Sequence, residues 1–125
     1  MKIGGALSAD EPSTETAPRS DCFHLQWPGT GTVDVAVNVM AAGGFCLGRW
    51  NPDLEHVTSA LSAPMAATSY GQGSNSSNDD CFGYVARGIP RGQPVQLNVT
   101  NFASVSYHDE VNNYLVELVV LPQGQ

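Results

Sequence analysis

The chain has 125 residues, a hydrophobic fraction of 42% and a formal net charge of -7. Its length suits one domain of roughly 100–150 residues, and its charged fraction of 14% lies below the ~25% of ordinary soluble domains. The basic residues are Lys2, Arg19, Arg49, Arg87 and Arg91, too scattered to form a cationic stripe. Nucleic acid and anionic membrane surfaces are therefore excluded as partners, and no apolar run approaches the ~18 residues of a spanning helix.

Residues 1–20 stand apart from the rest. Residues 1–9 imitate a leader peptide, but the apolar stretch is short and glycine-rich, so the chain is expected to be made and kept in a cytosol. Residues 10–18 carry Pro12 and Pro18 and show no hydrophobic period, which reads as extended chain. The expected organisation is an extended N-terminal arm over residues 1–20 and a folded domain over 21–125.

From Asp21 the pattern becomes that of strands. Phe23, Leu25 and Trp27 alternate with His24 and Gln26; Pro28-Gly29-Thr30-Gly31 supplies a turn; Val33, Val35, Val37 and Val39 alternate with Asp34, Ala36 and Asn38. Period-two alternation of apolar residues marks half-buried strands, here read as a hairpin. Residues 45–50 read as a further short strand. Asn51 as N-cap, Pro52 in the first turn and Leu54, Val57 and Leu61 at spacings of three and four predict one short helix near 52–61. Residues 62–80 read as a long polar surface loop. Strands return at 81–87, 95–99, around Val105 and Tyr107, and at 114–121, whose near-continuous apolar run predicts a strand buried on both faces. Six to eight short strands with one helical interruption make an all-β domain, an antiparallel β-sandwich or jelly roll. Val33, Val35, Val37 and Val39 are expected to face inward with Leu97, Val99, Leu118 and Val120.

Three cysteines, Cys22, Cys46 and Cys81, are an odd number and are expected to be reduced thiols. The tripeptide Asp-Cys-Phe recurs at residues 21–23 and 80–82, each time at a strand start. Were these starts side by side, Cys22 and Cys81 would be the pair that oxidation joins.

Little in the chain announces chemistry. There is no Gly-x-Ser-x-Gly elbow, and His24, His56 and His108 lie far apart, with His108-Asp109-Glu110 reading as a solvated turn. Base, orienting group and nucleophile are nowhere named together, so no enzyme is expected. Zinc spacing is missing, and the oxygen-rich tips at Asn75, Asn78, Asp79 and Asp80 and at Asp109 and Glu110 lack the EF-hand pattern. No metal or cofactor is expected. Trp27, Trp50, Tyr70 and Tyr107 are candidates for an aromatic platform, with Tyr70 in the 62–80 loop the best exposed and Trp27 assigned to the core.

After Lys2 the chain has no lysine at all. Sheet edges are commonly guarded by lysine, proline or bulges, so these edges are expected to be covered by the arm or by neighbouring subunits. Ile3 and Leu7 are candidate assembly anchors, and Pro12 and Pro18 would keep the intervening arm extended. A small, lysine-poor sandwich rich in Gly, Ala, Ser and Thr resembles phage capsid decoration proteins. The strand Tyr114-Leu115-Val116-Glu117-Leu118 also resembles the closing strand of small β-sandwich accessory domains of secreted peptidases. The first resemblance implies a non-enzymatic structural protein, a virion decoration or cement protein. It would be made in a host cytoplasm and bound to other protein subunits of its own kind or of the capsid shell. The alternative is a secreted, extracellular carbohydrate- or calcium-binding β-sandwich module.

Overall fold

The computed structural model of the chain describes residues 1–7, 19–41, 46, 57–64, 69–75, 80–101 and 112–122. They form eight strands: β1 (Lys2–Leu7), β2 (Arg19–Leu25), β3 (Thr32–Ala41), β4 (Val57–Ser62), β5 (Ser69–Ser74), β6 (Cys81–Pro90), β7 (Val95–Asn101) and β8 (Asn112–Val120). Two four-stranded sheets result, ordered β1-β8-β3-β6 in front and β2-β7-β4-β5 behind, with every pairing antiparallel. The expected all-β sandwich is the fold. Across it, β1 approaches β2 and β6 approaches β5.

The core is what the alternation of residue types demands. Val33, Val35, Val37 and Val39 of β3 are fully buried, as are Val57 and Leu61 of β4 and Val95, Leu97 and Val99 of β7. Ala41 of β3, Ala86 and Ile89 of β6, Tyr114, Val116 and Leu118 of β8, and Trp27 complete it. Each of these strands turns one face inward and one outward because successive side chains point to opposite sides of the sheet. Two tyrosines tie the sheets through the core. The Tyr84 hydroxyl on β6 lies 2.9 Å from Ser59 Oγ on β4, and the Tyr114 hydroxyl on β8 donates to Asp21 Oδ2 on β2 at 2.6 Å.

A bulge bends the front sheet. Val33 faces Ile89 and Val35 faces Ala86, so Asp34 alone stands opposite Arg87 and Gly88. Gly88 takes φ +69°, a left-handed conformation that suits glycine at a bulge. Its N–H donates to Asp34 Oδ1 at 2.9 Å, and Arg87 Nη1 lies 3.6 Å from Asp34 Oδ2.

Several expectations are corrected. Val57–Ser62 is a strand, so the helix near 52–61 does not form over its second half; residues 51–56 lie outside the described residues. Val57, Ser59 and Leu61 alternate as buried positions with Thr58 and Ala60 between them, a period of two that the spacing of three and four concealed. Within the 62–80 loop, Ser69–Ser74 is strand β5. The hairpin is also replaced: β2 pairs with β7 and β3 with β6 and β8, so their apolar faces oppose each other across the core. The link between them bends from sheet to sheet and is tied to the β6–β7 turn. There Arg91 N donates to Gly31 O at 2.9 Å, Gly92 N to Trp27 O at 2.7 Å and Arg91 Nη1 to Pro28 O at 3.1 Å.

β8 is an inner strand of its sheet but is not buried on both faces, since Val119 and Val120 are each 44% exposed; Val120 therefore leaves the expected core. The N-terminal arm is not free over its first part. Lys2–Leu7 pairs with β8, Ile3 opposite Val116 and Leu7 opposite Asn112, and Arg19 already opens β2. Of the expected strands at 45–50 and around Val105, only Cys46 is described, and it lies in no strand.

Candidate functional site

Each sheet carries a concavity on its outer face. The larger lies over the rear sheet, a groove of ≈ 590 Å³. Its floor follows from the register. Thr100 faces Thr58, and Thr58 faces Ser74; Asn98 faces Ala60, and Ala60 faces Gln72. These six residues stand in two rows across β7, β4 and β5 and line the groove. They are the outward positions of strands whose inward positions are Val57, Leu61, Leu97 and Val99, so burial of the core side orients the groove side.

The groove is neutral. Its side chains are hydroxyls, amides and a methyl, which offer both donors and acceptors of hydrogen bonds and no charge. The same character continues onto β2, where Ser20 Oγ lies 3.0 Å from Thr100 Oγ1 and Gln96 Nε2 approaches Cys22 Sγ at 2.6 Å. With no acid or base among these six residues, this floor is suited to binding a surface by hydrogen bonding and close approach. Sequence reasoning missed these residues. The available signal was the run Gln96, Asn98, Thr100 alternating with Val95, Leu97 and Val99: a solvent face of a strand without a lysine or glutamate.

The second concavity, ≈ 360 Å³, opens on the front sheet beside a disulfide between Cys46 and Cys81. This bridge replaces both the expected three free thiols and the candidate pair Cys22 with Cys81. Cys22 is free and exposed; it sits on β2 of the rear sheet, whereas Cys81 opens β6 of the front sheet, so the two Asp-Cys-Phe starts are not neighbours. Cys46, Asp80 and Cys81 bring their sulfur and oxygen atoms within 4.8 Å of one another, but two sulfurs bonded to each other offer no thiolate to a metal.

The remaining sequence candidates are dispersed. Ile3 is half-buried and packs on the core; Leu7 ends β1; Pro12 and Pro18 lie outside the described residues. Trp27 is buried, as expected, whereas Tyr70 belongs to β5 and packs partly buried against the core, so it is not an exposed platform. Asn75 and Asp80, expected at a solvated tip, are buried. Trp50, Asn78, Asp79, Tyr107, His108, Asp109 and Glu110 lie outside the described residues.

No family model matches the chain, and no curated protein matches it in sequence. Among solved structures the chain is similar to PliG of Aeromonas hydrophila, a periplasmic lysozyme inhibitor of g-type lysozyme. That match has a TM-score of 0.57 and 10% identity, and it covers 97% of this chain and 85% of that one. At such identity the likeness is one of fold. It overturns the reading as a virion decoration or cement protein, and with it the virion location. The solved chain with this architecture is a bacterial periplasmic protein, and the segment that was to reach a neighbouring subunit is strand β1 of its own sheet.

Proposed function

We propose that this chain is a protein-binding β-sandwich that acts outside the cytoplasm as an inhibitor of a lysozyme. The observation that carries the reading is the fold, shared over 97% of the chain with a periplasmic inhibitor of g-type lysozyme. The disulfide between Cys46 and Cys81 supports it, because such bridges persist in oxidising compartments. So does the neutral groove. Short side chains such as Thr58, Ser74 and Thr100, carried on paired strands, lose little conformational freedom when a partner covers them. A net charge of -7 speeds the encounter with a basic partner and makes that encounter sensitive to salt. On this reading the chain binds and does not catalyse.

The test is a titration of the disulfide-bonded protein into a g-type lysozyme acting on a suspension of bacterial cell walls. The expected outcome is loss of lytic activity near equimolar protein, with both proteins eluting together from a gel-filtration column. Undiminished lysis at a large molar excess of the chain, with the two proteins eluting apart, overturns the proposal.

A further inference from the structure

We infer that the front-sheet cavity beside the disulfide receives the side chain of a lysine or arginine from a partner protein. The inference rests on the reading of the chain as a protein binder and names what that partner presents. The cavity lies between two cross-strand rows of the outer face. One row holds Lys2, Glu117, Asn38 and Gly83; the next holds Gly4, Leu115, Met40 and Cys81. Met40 and the joined sulfurs of Cys46 and Cys81 supply an apolar wall, while Glu117 and Asn38 stand at the polar end.

This pattern matches one class of side chain. An aliphatic stem can lie along Met40 and the disulfide while its charged head meets the Glu117 carboxylate. Glu117 is half-buried, and among the described residues no ion pair or side-chain hydrogen bond ends on it. Among the described residues no cation of the chain itself fills the place. Arg87 is held at Asp34 on the bulge, and Lys2, which stands opposite Glu117 on β1, is exposed to solvent and makes no ion pair with it. A neutral guest would leave the carboxylate unpaired, and an anion would be repelled. At ≈ 360 Å³ the space is at the small end of ligand cavities, which run from about 300 to 1,000 Å³, and it suits one long side chain.

Gly83 keeps the cavity open. A Cβ on residue 83 would lie 2.8 Å from Asn38 Oδ1 and 3.2 Å from the Val37 carbonyl oxygen. Any larger residue there would push Asn38 aside and project into the space that the guest needs.

The test is a titration of the disulfide-bonded protein, followed by amide chemical shifts, with N-acetyl-lysine amide and N-acetyl-arginine amide. N-acetyl-norleucine amide serves as the neutral control. The expected result is saturable shifts at Asn38, Gly83 and Glu117 with a cationic probe, and binding of the norleucine probe weaker by about tenfold. E117Q, an outward and isosteric change, should weaken the cationic probe by a similar factor while leaving the melting temperature in place. Equal response to norleucine, no saturable shift in the wild type, or unchanged binding by E117Q each overturns the inference. These probes contain no lysozyme. A failed lysozyme titration with intact probe binding therefore counts against the inhibitor reading alone, and the converse counts against the cavity alone.

Discussion

Tyr84 shows how one side chain joins two sheets and what that costs its acidity. Burial pushes its hydroxyl up to about 12, although the hydrogen bond with Ser59 pulls the other way. A phenol whose folded value lies above the ordinary 10 keeps its proton in the native state while the unfolded chain gives it up. Native stability is therefore intact below pH 10 and falls as pH rises toward about 12. Denaturation midpoints measured across that interval should decline in the wild type, and the decline should be shallower in Tyr84→Phe. Below it, Tyr84→Phe should cost about 1 kcal/mol, the usual worth of one hydrogen bond, because Ser59 Oγ loses its partner. A second single-residue test lies in the core. Val37 is fully buried, and Val37→Asp would place an unpaired carboxylate there at a cost of about 3–5 kcal/mol; thermal melting reads it directly.

At the scale of elements, the close approach of β5 to β6 depends on residues without side chains. A Cβ on Gly71 would meet the Val85 carbonyl oxygen at 2.7 Å and Ala86 Cα at 2.8 Å, both backbone atoms, whereas a Cβ on Gly73 would meet the Tyr84 ring at 2.9 Å. A ring can turn aside and a neighbouring strand cannot. Gly71→Ala should thus destabilise by about 1–3 kcal/mol and Gly73→Ala by less, as compared by denaturant unfolding. The same scale marks the limit of what the residues disclose. The alternation in Val33–Val39 and Val95–Val99 is legible because one face of each strand is buried, and period two follows from the pleat. Pairing is not legible in the same way. Phe23, Leu25 and Trp27 alternate as well for a strand across the core as for a strand alongside, and only the closure of the whole sandwich decides between them. The outer groove was missed for a related reason. Thr58, Asn98 and Thr100 become a surface only when β7, β4 and β5 are set side by side, and β5 itself, with Gly71 and Gly73, has the composition of a loop. The disulfide partner of Cys81 was equally hidden, since the echo of Asp-Cys-Phe suggested Cys22 and spacing alone carries no geometry.

At the scale of the molecule, the bridge between Cys46 and Cys81 closes a loop with a sequence separation of 35 that contains both β4 and β5. Chain-entropy reasoning gives such a closure about 3–4 kcal/mol. Cys46→Ser should therefore lower the unfolding free energy by that order, and adding a reductant to the wild type should reproduce the effect, whereas Cys22→Ser should leave stability unchanged.

The position of β8 has a consequence for how the protein is made. It is the last of the described strands, yet it lies between β1 and β3 and brings Tyr114, Val116 and Leu118 to the core. During synthesis the front sheet thus has an empty slot until Val120 has left the ribosome. Of the described strands β1 emerges first and waits longest, because its partner is the last of them. Contacts between such distant segments are slow to form, and no earlier stage of elongation has a closed core to rest in. A chain stopped before Asn112 should stay unfolded by circular dichroism, while the chain through residue 122 folds on its own. A nascent polypeptide that must emerge through Val120 before it can collapse into its native form stays threadable until that point.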